Sequence, residues 1–515
     1  MDRSKSALRN FLQTNWTGSK WRECNRAGSL EYAMVRHELL IGGRWQRGSG
    51  PGAMRDVVSP YDHRVVGQCS IAGADDVNAA VEAAVVGAET WRATPAHERF
   101  SILMRAADLA DERAEEIAQT LSAENGKTLK EAQGEASRSG SIIRLAAFEG
   151  TQLYGESLPL DANPGTGLDK VGFTLRQPVG IVAAITPFNY PALLVNHKIA
   201  PALAAGNAVI LKPASTTPLT ALALAECFVD AGLPEGVLSV LTGPGGEIGD
   251  RLSSDQRIRK VSFTGSTAIG RHIAEVAGVK KLSLELGSSA PVVVLPDADI
   301  PLAAAAVAAG GYTNAGQVCI SVQRVIVHEA VHGDFLDALR AEVAQHRTGD
   351  PSAAETTVGT LISEREATRV HESILRAVED GASLELGGDR SGAIVEPAIV
   401  SGVDPHSRFA QEEIFGPAVA VTDAPDTATA IALANTTEYG LSAGIFTNDI
   451  DAAIRYMRDV DAGSIHINWT PLWRADLMPY GGLKASGIGK EGPRAAVEEM
   501  TEAKTVVLHG RPWRS

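Results

Sequence analysis

The sequence predicts an α/β protein built on parallel sheets, and three observations carry that prediction. From Val179 onward, short apolar runs alternate with segments of helical periodicity. A second alternating region continues to about Pro479. The 515 residues also exceed what one hydrophobic core fills, so two or three domains are expected. Alternation of strand and helix is the mark of βαβ units, whose crossover helices cover the faces of a parallel sheet.

Taken in order, residues 1–35 are polar, carry several basic side chains and lack the apolar stretch of a signal peptide. They are expected to form a mobile extension, with a natural start near Met34. His37 to Trp45 reads as a strand closing on a Gly42-Gly43 hairpin. Ser59-Pro60-Tyr61-Asp62-His63 is a turn before a strand around Val65 to Cys69. Apolar residues at helical spacing predict helices over Asp75–Glu89, Pro95–Asn125 and Glu131–Gly150. A loop at Asn163 to Gly167 precedes a strand-like segment, Val171–Pro178. Strands are then predicted at Ile181–Ile185, Ala208–Lys212, Val237–Leu241, Val261–Phe263 and Leu282–Leu286. The helices between them are Pro191–Ala204, Pro218–Ala231, Gly246–Leu252 and Ala268–Ala277. This pattern is the setting of dinucleotide-binding folds. In the second region, strands fall near Pro291–Val294, Val322–His328, Leu384–Leu386, Ala398–Val400 and Ala418–Val421, and the tail Glu502–His509 reads as a last strand. There is no internal repeat.

Composition narrows the function. A net charge of −15 argues against general nucleic-acid binding and against an anionic membrane surface. No apolar run is long enough to span a bilayer, and the most hydrophobic, Gly180 to Leu194, is broken by Pro187 and Pro191. The four cysteines (Cys24, Cys69, Cys227, Cys319) show no CxxC spacing, so neither a disulfide framework nor a metal site is expected. A reducing cytoplasm fits such a chain.

Candidate chemistry centres on Asn314-Ala315-Gly316-Gln317-Val318-Cys319-Ile320-Ser321. A thiol in a small, glycine-bearing segment just before a strand can face a cleft, and its nucleophilicity requires a cation, a base or a helix amino end nearby. On residue type alone a cysteine is more often a buried structural residue, so a partner must decide. Glu285, between Leu284 and Leu286, is either a tolerated edge residue or a desolvated base able to activate water. Asn189, between Pro187 and Pro191, offers a rigid amide donor for a developing oxyanion. Two Gly-rich segments, at Gly243 and at Phe263 to Gly270, each follow a strand and open a helix, a place suited to a pyrophosphate.

With these residues stand the segments TPFNYP (Thr186–Pro191), LKPAS (Leu211–Ser215), FTGSTAIG (Phe263–Gly270), LELG (Leu284–Gly287), NAGQVC (Asn314–Cys319), EEIFGP (Glu412–Pro417) and PYGGLKASGIGKEG (Pro479–Gly492). In this order, over roughly residues 36 to 510, the chain resembles the aldehyde dehydrogenase superfamily. Its nearest feel is to the lactaldehyde, non-phosphorylating glyceraldehyde-3-phosphate and phosphono- or sulfo-aldehyde branch. The resemblance implies a Rossmann-type NAD(P)-binding domain from 36–155 and 179–287, and an α/β catalytic domain from 288–482. It also implies a small β oligomerisation element from 156–178 and 495–515, and hence a homodimer or homotetramer.

The resemblance further implies roles. Cys319 attacks a small-molecule aldehyde, Asn189 holds the oxyanion, Glu285 activates water, and Lys198 assists proton relay. NAD or NADP would lie along Thr186, Phe188, Lys212 and Ser215, then Gly243, Gly265, Ser266 and Ile269, with Glu413 at the nicotinamide ribose and Phe415 by the ring. Ser215 stands where relatives that strongly prefer NAD often carry a glutamate, which opens the site to NADP. Ser288 replaces a usual glycine near the nicotinamide. Arg138, His197 and either Trp473 or Arg474 match the substrate tunnel; two arginines and a histidine suit a polar or anionic aldehyde. The rival readings are a CoA-acylating aldehyde dehydrogenase, a non-catalytic binding protein on the same fold and a thiol hydrolase, the last without a Cys–His pair in suitable context.

Overall fold

The computed structural model describes residues 35–510, with side chains from Glu38 onward. The extension expected over residues 1–35 therefore lies almost wholly outside the described residues, as does Cys24.

Five parallel strands form the centre of an eight-stranded sheet. Ile181–Ile185 lies in the middle, Ala208–Lys212 and Leu238–Val240 extend to one side, and Lys260–Thr264 and Lys281–Glu285 to the other. The hairpin Leu39–Ile41 and Arg44–Gln46 completes one edge, turning at Gly42-Gly43 as read from sequence. Four of the five parallel strands are buried along their whole length and Lys281–Glu285 over its last three residues, as apolar runs between two helical layers require. Because the chain starts in the centre and winds first one way and then the other, Ile181–Ile185 and Lys260–Thr264 flank a topological switch point. Ligands of open α/β sheets bind in the crevice outside the carboxyl ends of strands at such a point. Thr186 follows the first of these strands and Gly265 the second.

After Lys281–Glu285 the chain crosses at once into a second sheet. Its seven strands run Ser383–Leu386, Ala398–Ser401, Ala418–Ala424, Val322–His328, Ala290–Val294, Ser442–Phe446 and Ser464–Ile467, and only the first is antiparallel to its neighbour. Cys319 sits three residues before Val322–His328, so it faces the junction of the two sheets. The carboxyl-terminal segment closes this junction. Gly487–Ile488 pairs antiparallel with Lys281–Glu285 and returns residues 479–492 to the first sheet. A third, three-stranded sheet joins Thr501–His509 to Lys170–Pro178 over nine residue pairs, with Ser157–Leu158 outside.

Three expectations change. The single helix read over Pro95–Asn125 is two, Ala96–Glu112 and Ala114–Asn125, meeting at Arg113. Glu131–Gly150 also divides, into Leu129–Ala136 and Ser139–Gly150. The strands Ser442–Phe446 and Ser464–Ile467 were not anticipated, because their small and mixed residues carry no clean two-residue alternation. Among the described residues, no helix is long and apolar enough to cross a membrane.

Candidate active site

The loop that presents Cys319 is strained. Asn314 and Ala315 both adopt left-handed backbone (φ 52°), followed by Gly316 at φ 69°. For a buried alanine this conformation costs roughly 1–3 kcal/mol and persists only when the surroundings enforce it. They do so here. A Cβ on Gly316 would lie 2.1 Å from the carbonyl oxygen of Gly416, so the loop is pressed against the segment carrying Glu413 and Phe415. The Asn314 N–H donates to Glu131 (2.7 Å) and its amide to the Asn189 carbonyl (3.1 Å).

The loop after Ile181–Ile185 is fixed from beneath. Buried Lys127 donates to the Asn189 carbonyl (2.7 Å) and to Glu135 (2.6 Å), and Asn125 donates to the Phe188 carbonyl (2.8 Å). Glu135 also accepts from the N–H groups of Ala192 and Leu193, at the amino end of the helix Leu193–Ala204. The Asn189 amide donates to the Gln317 carbonyl (2.8 Å), which uses one of its two N–H protons and aims the group at the Cys319 loop.

A cavity of ≈ 260 Å³ opens between these loops, and Cys319, Asn189, Glu285, His197, Arg138 and Arg474 all line it. Of Trp473 and Arg474, Arg474 is the one in the lining. Trp473 is 54% exposed and meets only the edge of His466, while Arg474 faces inward. Glu285 is buried with neither carboxylate oxygen hydrogen-bonded among the described residues. Burial, reinforced by the charge of Glu491, raises its pKa well above the ordinary carboxylate range. A Cβ on Gly481 would come within 2.8 Å of its Oε1.

Lys198 is fully buried and donates to Glu491 (2.9 Å) and Ser262 (3.3 Å). Glu491 also receives Arg474 Nη1 (3.3 Å) and the Thr264 hydroxyl (3.4 Å). Despite burial, Lys198 and Arg474 hold its pKa down to about 2. Burial is opposed at Cys319 as well, but less effectively: the half-buried thiol is pushed up to about 12, with Tyr480 and Arg474 lowering it and Glu413 and Glu285 raising it.

Sequence reading found the cations here and missed their carboxylates. Arg138 is engaged by Asp476 through two hydrogen bonds, and His197 Nε2 lies 3.6 Å from the same carboxylate. Asp476 therefore takes Nε and Nη2 of Arg138 and neutralises part of its charge, while the side chain still lines the cavity. Arg474 Nε and Nη2 are buried donors without a hydrogen-bond partner among the described residues. His197 Nδ1 is also unpartnered there, and with Nε2–H toward Asp476 in a ring that burial keeps neutral it is an acceptor. Glu491 lay within a quoted motif beside Lys490, where it reads as a solvated charge. Asp476, two residues past Arg474, was the available hint of neutralisation.

The residues expected to hold a dinucleotide follow the carboxyl edge of the first sheet. Thr186 is buried with its hydroxyl unpartnered among the described residues. Among the described residues Lys212 Nζ donates to the Pro213 carbonyl alone (3.0 Å), and burial lowers its pKa to about 8, with Arg55 adding to the shift. Ser215 donates to the Gly243 carbonyl (2.7 Å). Ser266 is the N-cap of Thr267–Val276 but makes no capping bond, leaving its hydroxyl free for an anion at the helix amino end. Gly265 donates to the Glu285 carbonyl (3.0 Å). Ile269 is 51% exposed, and the neighbouring helix Gly245–Ser254 presents open space at Gly246 and Gly249. Glu413 accepts from the Ser288 N–H (3.0 Å) through one oxygen, and burial lifts its pKa to about 7. Phe188 and Phe415 meet edge to face at 5.9 Å. Unused donors, an uncapped helix end and an uncovered glycine face make this edge fit a dinucleotide.

Comparison with known proteins agrees with the geometry. Residues 45–506 match the aldehyde dehydrogenase family, and the chain belongs to it. A 3-sulfolactaldehyde dehydrogenase of Priestia aryabhattai is 42% identical, over 92% of this chain and 98% of its own length. The NADP(+) succinate-semialdehyde dehydrogenase of Escherichia coli is 39% identical over 92% and 98%. The crystal structure of NADP-dependent glyceraldehyde-3-phosphate dehydrogenase from Bacillus halodurans, complexed with NADP, superposes with a TM-score of 0.90 at 36% identity, over 93% and 100%.

Proposed function

We propose that the protein oxidises small anionic aldehydes to carboxylic acids with NAD(P), using Cys319 as nucleophile. The observation that carries the anionic preference is Arg474, which lines the cavity that holds Cys319 and Glu285 and whose Nε and Nη2 have no hydrogen-bond partner among the described residues. A buried guanidinium with free donors is matched by a carboxylate, sulfonate or phosphate.

The Cys319 sulfur bonds to the aldehyde carbon, and the free Asn189 N–H stabilises the oxygen that gains charge. Collapse of that tetrahedral adduct to a thioester on Cys319 releases a hydride, for which bound NAD(P) would supply the acceptor. Thr186, Lys212, Ser215, Gly243, Gly265, Ser266, Ile269 and Glu413 would hold the dinucleotide, with Phe188 and Phe415 packing beside it. No carboxylate replaces Ser215 to repel a 2′-phosphate, and the Arg55 charge reaches Lys212, which supports use of NADP as well as NAD. Glu285 has the raised proton affinity of a base, so it takes a proton from the water that cleaves the thioester. Lys198 and Glu491 hold the charge balance behind it.

We read the first sheet with its helices as the cofactor domain and the second as the catalytic domain. The third sheet is read as the oligomerisation element of a homodimer or homotetramer: Val171 and Leu508 pair on one exposed face, and Leu175 follows on the same face. A cytoplasmic location is supported by the need for a reduced Cys319.

The test is spectrophotometric. Three- and four-carbon aldehydes bearing sulfonate, phosphate or carboxylate should reduce NAD or NADP faster, per kcat/KM, than propanal does. Reduction that required CoA, or that favoured the neutral aldehyde, would overturn the reading.

A further inference from the structure

Tyr480 touches the reacting atom. Its hydroxyl lies 3.1 Å from Cys319 Sγ. The side chain is held on every side. It is buried at 6% exposure, and its backbone exchanges two hydrogen bonds with Glu491 (3.0 and 2.6 Å). The Arg474 guanidinium covers its ring at 3.9 Å from the centroid. Such a hydroxyl has little freedom to turn elsewhere.

A thiol can donate or accept, but a thiolate only accepts. Once the Cys319 proton leaves, Tyr480 must be the donor, and a hydrogen bond to a charged acceptor is stronger than one between neutral groups. The other charges facing the sulfur do not achieve this alone. Glu285 and Glu413 disfavour the thiolate and Arg474 favours it. Tyr190, Glu491, His197 and Arg138, the last paired with Asp476, line the rest of the cavity.

We propose that Tyr480 is a catalytic residue that stabilises the Cys319 thiolate as it forms, by donating its hydroxyl hydrogen bond to Sγ and fixing the sulfur's direction toward the cavity. This rests on the reading of Cys319 as nucleophile. Tyr480 keeps its proton throughout; the thiol proton departs to water. As sulfur bonds to carbon its charge passes to the carbonyl oxygen, and the hydrogen bond relaxes.

The experiment is alkylation of the full-length protein by iodoacetamide across pH, with the Cys319 peptide followed by mass spectrometry so that the other cysteines do not contribute. Tyr480→Phe should slow labelling at neutral pH about tenfold, which is about 1.4 kcal/mol, and move the rate profile about one pH unit higher. Arg474→Gln leaves the hydroxyl in place and should move the profile less. An unshifted profile in Tyr480→Phe, or a larger shift in Arg474→Gln, would overturn the proposal. Labelling needs neither aldehyde nor cofactor, so that failure is distinct from failure of the functional reading, which would show as wild-type protein reducing no NAD(P) with any aldehyde.

Discussion

Replacing Glu491 by glutamine isolates the buried charge network behind the cavity. The carboxylate accepts Lys198 at 2.9 Å and Arg474 at 3.3 Å, and glutamine offers one neutral oxygen in its place. Lys198 is fully buried, with Ser262 at 3.3 Å as its other partner, so the substitution strands a buried ammonium. Breaking a buried pair costs about 3–5 kcal/mol. Because Lys198 and Arg474 depress the Glu491 pKa, the stabilisation is complete above the ordinary carboxylate value of 4.5 and is lost progressively as pH falls below it. Urea unfolding at pH 7 should therefore find Glu491→Gln less stable by about 3–5 kcal/mol, with the difference narrowing as pH falls below 4.5. A difference below about 1 kcal/mol at pH 7, or one that widens on acidification, would refute the reasoning.

Two further perturbations separate the substrate and cofactor sides. Arg474→Leu removes the free donors and should raise KM for an anionic aldehyde about 10- to 100-fold while changing that for propanal little, since hydrogen bonds to charged groups are worth about 1.5–3 kcal/mol; steady-state kinetics with both aldehydes checks this. Ser215→Glu places a carboxylate beside Gly243 and should raise KM for NADP at least about tenfold with NAD nearly unaffected, measured with each cofactor varied at saturating aldehyde.

The readable parts of this chain were those written into contiguous segments. Parallel strands buried on both faces show as apolar runs, and Cys319, Glu285 and Asn189 each stand in a short segment whose neighbours restrict what the side chain does. What was not legible depends on distance in the chain. Glu491 meets Lys198 across 293 positions, and no periodicity links them. Asp476 converts Arg138 from a free cation into half of an ion pair, which residue type alone does not reveal. Nor could spacing choose between Trp473 and Arg474, because an irregular loop has no repeat to fix its register. The helix divisions at Arg113 and at Ser137-Arg138 carry neither glycine nor proline, so packing rather than propensity sets them.

The central claim is that Cys319 becomes esterified by the substrate and that Glu285 releases the acid. Glu285→Gln mixed with NAD(P) and an anionic aldehyde, quenched in acid and weighed by mass spectrometry, tests it most directly. The account predicts an acyl group on Cys319 and turnover lowered about 10²- to 10⁴-fold. An unmodified Cys319 in a variant that still turns over at the wild-type rate would contradict it.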